Sequence, residues 1–399
     1  MKWVASTAGI CKLLSGDHHR SIQFCNLLFK AGVMKKILLI TFVSISVWPG
    51  FVRSQPSKPV APPGPLSDLP GALFTDTSLL RMELKGNIRA VMDDRGDAPV
   101  FHPLTLSYRN ENGQEVLLTV QVKTRGHFRK ARENCSYPPL LISFPKKDST
   151  QSTVFAGQVK LKLVMPCKDD SYVVKEWLVY KLYNLITPRS FRARLVKLIM
   201  NDDQRKKQSP PLFGILLEDE TQVAKRNNMI LVNRKLLRPE GTEQKNFLDM
   251  AVFEYMIGNT DWSVQYLQNI KLLAKDSMDI PLTVPYDFDH AGIVSPPYAM
   301  PAEELQMSSV RERRFRGYCV GDMSRFDQSI ALFNSLKNQF YSVYTTCPYL
   351  DAKSIKTITE YLDAFYKTIN NPKELKKDFT YPCDPNGTGN VVIKGLKED

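Results

Sequence analysis

Two stretches hold the residues best suited to chemistry: Gly258-Asn-Thr-Asp-Trp-Ser-Val-Gln-Tyr-Leu-Gln-Asn269 and Tyr286-Asp-Phe-Asp-His-Ala-Gly292. Asp261 falls just past a predicted helix, Asn269 opens the next strand, and Asp287 and Asp289 close the returning one. A carboxamide and one or two carboxylates meeting at a hairpin are the hard oxygen donors that Mg²⁺ prefers. Asp261 is then left to accept a proton from an attacking hydroxyl. Taken singly, Asp261 and Asn259 read as helix-end caps and Asp287 as a turn residue. The whole set, with Phe288 between two acids and Gly292 after them, points to a site. His290 reads as a hydrogen-bonding support for that loop, not as a metal ligand.

Positive charge is offered upstream. In Val159-Lys160-Leu161-Lys162-Leu163 the period of two puts both lysines on one face, where a strand-borne ammonium can hold a phosphate. Glu176, on the following helix, is placed to pair with one of them. Without it the lysines read as solvated. Thr124-Arg-Gly-His-Phe-Arg-Lys130 is a strand and turn whose glycine and three basic residues can approach phosphate oxygens closely. Taken alone it is an ordinary basic turn.

The elements that position these groups change character along the chain. Leu104, Leu106 and Tyr108 alternate, Asn112-Gly113 offers a hairpin turn, and Val116, Leu118, Val120 and Val122 alternate again. Further strands are expected at 139–144, 158–164, 192–200 and 212–218, with a helix at 172–185. After about residue 221 helices dominate, at 246–257 (closed by Gly258), 328–344 and 354–369, with a short strand pair at 269–273 and 282–286. The expectation is α+β: an antiparallel β-rich lobe (72–220) with one helix, a mainly helical lobe (221–399), and a cleft between them.

The 399 residues are 43% hydrophobic and 24% charged. Those values exclude a polytopic membrane protein, a collagen-like rod and a wholly disordered chain. The net charge is +13, and the first 54 residues supply almost half of it. What remains suits an anionic ligand such as a nucleotide, and no nucleic-acid-binding motif is seen. Residues 34–54 have the parts of a secretory signal: Lys35 and Lys36, an apolar run from Ile37 to Val47, and a cut expected before Gln55. Met34 is read as the start, with residues 1–33 as an upstream extension, and the apolar run is too short to span a bilayer. Residues 55–71 form a Pro-rich tether. Export places the chain in a secreted or periplasmic compartment, where Cys135, Cys167, Cys319, Cys347 and Cys383 are candidates for pairing. Cys135 with Cys167 and Cys319 with Cys383 are the pairs considered. Asn134-Cys-Ser136 and Asn386-Gly-Thr388 match glycosylation acceptors. Arg311-Glu-Arg-Arg-Phe-Arg316 reads as a solvated face that could also meet an acidic acceptor.

Six motifs in order carry a family resemblance: Arg125-Gly126, Lys160-Leu-Lys162-Leu, Glu176-Trp-Leu-Val-Tyr-Lys-Leu-Tyr183, Ser190-Phe-Arg-Ala-Arg-Leu-Val196, Phe213-Gly-Ile-Leu-Leu-Glu218, and Gly258-Asn-Thr-Asp261 with Asn269 and Asp287-Phe-Asp289. Over roughly residues 115–292 the chain resembles the spore-coat-protein-H (CotH) kinase-like family of secreted atypical kinases. The resemblance implies a two-lobed kinase-like fold and phosphoryl transfer from ATP to a protein or glycan hydroxyl. It implies that Lys162, or Lys160, holds the α/β-phosphates and that Glu176 anchors that lysine. Glu218 would lie at the hinge beside the adenine, and the Arg125-Gly126 turn would cover the triphosphate. Asp261 becomes the base or substrate-orienting acid. Asn269 and Asp287 become the ligands of Mg²⁺ (or Mn²⁺), with Asp289 as an additional one. The chain departs from protein kinases in three ways: it has no GxGxxG, it has Asp-Phe-Asp in place of Asp-Phe-Gly, and it places Asp261 and Asn269 eight apart. That spacing requires the intervening residues to bulge, or Gln265 to substitute.

Two rival readings start from the same residues. One is a secreted pseudokinase or surface-binding module without catalysis. The other is a metal-dependent glycosyltransferase using Asp287-Phe-Asp289 to hold a nucleotide-sugar diphosphate.

Overall fold

Alternation along the first strands decides which way their side chains point. A computed structural model describes residues 72–144 and 150–380. In chain order the elements are α1 (Ala72–Thr75), β1 (Leu80–Gly86), α2 (Ile88–Asp93), β2 (His102–Arg109), β3 (Glu115–Thr124), β4 (Leu140–Ser143), β5 (Lys160–Val164), α3 (Asp170–Ile186), β6 (Ala193–Asp202), β7 (Lys207–Gln208) and β8 (Leu212–Leu217). The sheet order is β1-β2-β3-β4-β5-β8-β6-β7, and β6 also pairs with β1. That extra pairing is parallel, from Leu80 opposite Val196 to Gly86 opposite Asp202. It closes seven strands into a barrel, with β7 attached to β6.

The closed barrel differs from the all-antiparallel β-rich layer expected. Closure leaves no long edge strand with unpaired backbone groups. Local periodicity cannot report it, because the joining partners lie more than a hundred residues apart. Leu84, Leu106, Val120, Ile142, Leu163 and Leu198 fill the barrel. β6 and β8 are apolar on the other face too, where Leu195, Ile215 and Leu217 meet α3.

The rest of the chain builds α4 (Glu220–Arg226), β9 (Ile230–Val232), α5 (Gln244–Ile257), β10 (Ile270–Ala274), β11 (Leu282–Pro285), α6 (Asp327–Thr345), α7 (Ala352–Ile369) and α8 (Pro372–Phe379). β9, β10 and β11 form a separate antiparallel sheet. Helix α5 starts where the Glu243 carboxylate accepts from the N–H groups of Lys245 and Asn246. It is apolar on nearly every face because it runs through the middle of the second core. The chain is thus α+β, and every expected strand and helix named above appears within a few residues of its expected ends.

Cys135 and Cys167 form a disulfide, and Cys347 is free and buried. Cys319 is disulfide-bonded. Its expected partner Cys383, the signal segment, the tether and Asn386 lie outside the described residues. Among the described residues no helix is long and apolar enough to cross a membrane.

Candidate active site

The first site loop begins where α5 stops. Gly258 adopts a left-handed conformation (φ 69°, ψ 34°), and its N–H bonds back to Glu254 and Tyr255. A Cβ at this position would sit 2.0 Å from the Tyr361 hydroxyl, so both the angle and the space require glycine. The second loop crosses here, with the Gly292 N–H bonded to the Gly258 oxygen at 3.0 Å. The carbonyls at a helix C-terminus have no intrahelical donors. Arg313 supplies them, bonding to the oxygens of Tyr255 (3.1 Å), Met256 (3.2 Å) and Tyr361 (2.6 Å). Arg316 donates to the backbone oxygens of Thr260 and Trp262. The 311–316 run is therefore not simply a solvated face: two of its arginines brace the site loop from within.

Inside that loop, Ser263 and Gln268 exchange two backbone hydrogen bonds of 3.0 Å, which ties off the turn between them. The extra residues are looped out, and the amide of Asn269 reaches the Asp261 backbone oxygen (2.7 Å) and carboxylate Oδ2 (3.1 Å). Gln268 Nε2 donates to Asp261 Oδ1. Of the two solutions the spacing allowed, the bulge is the one that forms, and Gln265 lines the neighbouring cavity instead.

Asn269 lies opposite Tyr286 at the open end of the β10–β11 hairpin, with the Tyr286 N–H bonded to the Asn269 oxygen at 3.0 Å, and Asp287 follows directly. Asn269 and Asp287 are both left-handed, at φ 50° and 64°. Asn and Asp tolerate that region better than other non-glycine residues. The Asp287 N–H donates to the Tyr180 hydroxyl at 3.0 Å. Phe288 is wholly buried between Tyr180 and Phe253, with ring centroids 4.8 and 5.7 Å away. Helices α3 and α5 thereby fix the acid on each side of Phe288. Asp289 Oδ2 accepts from Tyr298 (3.1 Å) and from Arg129 (3.4 Å).

Arg129 changes the expected pairing. Its Nη1 lies 3.9 Å from Glu176 Oε2, and its Nη2 donates to the Met165 oxygen. The Cys135–Cys167 disulfide ties the segment following Arg129 to the one leading into α3. Glu176 is thus served by an arginine, and the Lys162–Glu176 pair does not form. Lys162 instead bonds Glu220 Oε2 at 3.0 Å, in the first turn of α4. Lys271 is 3.7 Å from the other Glu220 oxygen, and both ammonium groups lie over the Tyr286 ring, at 5.6 and 5.4 Å. The reason is placement: Lys162 leaves the barrel on its outer face beside α4, whereas Glu176 is sunk in the second core.

The electrostatics follow from burial. Glu176 is pushed well above the usual carboxylate range by burial and then by the Asp289 charge, with Arg129 opposing. Asp287 is raised to about 6 by burial and by Asp289, against Arg129 and Arg125. Asp261 is raised by burial, with His290 as the largest opposing charge and Asp289 adding to the rise. Burial disfavours the charged form of Arg129, but Tyr298, Asp289, Glu176 and Asp287 outweigh it and hold its proton more tightly than usual. Glu176 Oε1 is buried without a hydrogen-bond partner. Three acids share one buried guanidinium, so the centre is short of positive charge.

A cavity of about 570 Å³ opens beside this centre, walled among others by Asn269, Gln268, Lys271, Glu220 and Tyr286. Glu176, Asp261, Asn269, Asp287 and Asp289 therefore converge. Arg125 is close enough for its charge to act on Asp287 and Tyr286, and Lys162 stands one residue along, at Tyr286. Three expected site residues do not join them. Lys160 is exposed on β5, and Gly126 is exposed at φ 80° with open space around it. Glu218 is buried, with its carboxylate forked by Arg226 (2.9 and 3.1 Å) and bonded to the Arg192 N–H (2.9 Å). Its carboxylate is thus committed within the chain.

Glu220, Lys271 and Tyr298 were not singled out from the sequence, and Arg129 was read only as one basic residue of its turn, not as the partner of Glu176 and Asp289. Lys271 carried a readable signal, as the polar position between Ile270 and Leu272 on a strand leaving Asn269. Glu220 and Tyr298 are recognised only by what they touch.

Among the described residues no three or more His, Cys, Asp and Glu side chains gather closely enough to cage a metal. The oxygen donors present, Asn269 and Asp287, suit an ion that takes one or two protein carboxylates and completes its shell with water and phosphate.

No protein-family model and no curated protein matches the chain. Among solved structures it is similar to the Helicobacter pylori proinflammatory kinase CtkA, at 12% identity and a TM-score of 0.34, over 58% of this chain and 88% of that one. So distant a likeness assigns no residue a role.

Proposed function

We propose that this chain is an extracytoplasmic, ATP-dependent phosphotransferase of the CotH-like kind, with a barrel lobe and a helical lobe on either side of the nucleotide. The observation that carries the reading is the gathering of Asp261, Asn269 and Asp287, with Asn269 in the wall of a cavity that also presents Lys271 and Tyr286. Phosphoryl transfer asks a protein for positioning and charge neutralisation more than for covalent chemistry. Asp287 and Asn269 would hold Mg²⁺, which neutralises charge on the β- and γ-phosphates; Mn²⁺ can take the same donors. Asp289 has one oxygen committed to Arg129 and Tyr298, so it acts chiefly by fixing the loop. Lys162 and Lys271 meet the phosphates once they leave Glu220, and Arg125 covers them from the turn.

The acceptor is a hydroxyl on a protein or glycan. Its oxygen bonds to the γ-phosphorus, the bond from that phosphorus to the ADP oxygen breaks, and Asp261 takes the hydroxyl proton. Burial has already raised the proton affinity of Asp261, which suits it to accepting a proton. The disulfide supports an oxidising compartment.

The test is a thermal melt with ATP and Mg²⁺ beside γ-phosphate transfer to protein and glycan acceptors. Stabilisation by ATP–Mg²⁺ that UDP-sugar with Mn²⁺ does not match is expected. Stabilisation by UDP-sugar alone would hand the site to the glycosyltransferase reading. One observation favours a second reading, nucleotide binding without transfer: Lys162 is bonded to Glu220 and not to Glu176. Binding with no turnover on any acceptor would establish it.

A further inference from the structure

Helix α3 has a second face, and it borders a different cavity. Five residues beyond Glu176, Lys181 points into a cleft of about 770 Å³ whose walls include Trp177, Leu178, Leu185, Arg192 and Val343. Trp177, Leu178, Leu185 and Ile186 of α3 and Val343 of α6 give it an apolar wall. Leu185 stands 36% exposed at the rim, a large apolar side chain left without cover. The polar groups are mostly satisfied from within. Asn184 bonds Ser190 and Phe191, and Arg226 is forked onto Glu218.

Lys181 and Arg192 are different. Among the described residues neither has a carboxylate within salt-bridge distance. The Lys181 ammonium has only the Trp177 ring, 5.3 Å from its centroid. The charges of Arg194 and Arg192 bear on it, and Asp76 is the acid that opposes them. Arg194 is itself paired with Asp76 at 2.6 Å. Two cations without a salt-bridge partner in the wall of one cleft form an electrostatic mismatch that an anion would relieve.

We propose that this cleft is a second binding site, for a small anionic amphiphile. Its carboxylate or phosphate head lies between Lys181 and Arg192, and its apolar body lies along Trp177, Leu178 and Leu185. The proposal is independent of the nucleotide site and stands whether or not the chain transfers phosphate.

The probes are decanoate, decyl phosphate and decanol, added to the whole chain and followed by Trp fluorescence and thermal melting. Both anions should bind, shift the melting temperature upward and change a signal that disappears in Trp177→Phe. The stronger of the two tells carboxylate from phosphate. Decanol, with the same tail and no charge, should bind roughly tenfold more weakly. Lys181→Met with Arg192→Gln should lower anion affinity by a similar factor and leave decanol unaffected. Leu185→Glu, at the exposed rim, should repel the anions without disturbing a buried contact. Burial and the two arginines bring Lys181 to about 8, so anion affinity should fall between about pH 7 and pH 9 as its proton leaves. Equal binding of decanol and decanoate, or undiminished anion binding in both variants, or no binding at all, overturns the proposal.

Discussion

Asn269 Nδ2 donates to both the backbone oxygen and the carboxylate of Asp261, eight positions earlier in the chain, at 2.7 and 3.1 Å. The same amide therefore orients the proposed base and turns its own oxygen toward other partners. Asp261→Asn should keep the melting shift with ATP–Mg²⁺ and lower phosphate transfer by about 10²–10⁴-fold, the range for loss of a general base. Undiminished turnover in that variant removes Asp261 from proton transfer.

Asp287 has a pH signature of its own. Its folded pKa, about 6, lies above its ordinary value of 3.8, so between those values the folded state holds more protons than the unfolded one. Stability therefore falls as pH rises through that window. Asp287→Asn should melt higher than the parent at neutral pH without ligand, by up to about 3 kcal/mol. The gap should close as pH falls toward about 4, and the variant should lose the ATP–Mg²⁺ shift. Paired melts across pH, with and without nucleotide, check both halves.

Arg129 sits among Glu176, Asp289 and Tyr298, and removing it strands buried carboxylates. Arg129→Met should cost about 3–5 kcal/mol. Arg129→Lys should recover only part of that, since a point charge cannot reproduce the fork. Adding Glu176→Gln to Arg129→Met should restore stability beyond additivity, as denaturant unfolding in a double-mutant cycle will read.

Glu220 holds Lys162 at 3.0 Å and Lys271 at 3.7 Å. Glu220→Gln should release both ammonium groups and tighten ATP binding by roughly two- to fivefold, the scale of a part-exposed ion pair. Weaker binding in a titration calorimeter would instead make Glu220 a ligand-side group.

The Cys135–Cys167 bridge spans 32 residues and steadies the turn that carries Arg129. Reduction, or Cys135→Ser with Cys167→Ser, should lower stability by about 3 kcal/mol. It should also slow transfer before the protein unfolds, which activity measured below the melting temperature will show.

The sequence by itself determined what local periodicity and residue type can carry. Local patterning placed six of the seven barrel strands, all but β1, and spacings of three and four with Gly258 placed α3 and α5. That Asn269 and the turn beginning at Tyr286 lie together was legible because a hairpin brings its own ends together. The tertiary structure decided what depends on distant chain. Barrel closure joins β1 to β6 in parallel, which neither strand signals alone. The partner of Glu176 was decided by depth: Arg129 comes in on a disulfide-tied turn, while Lys162 stays on the barrel's outer face with Glu220. Charge pairs are chosen by proximity in three dimensions, and alternation reports only the side of the sheet from which a lysine leaves.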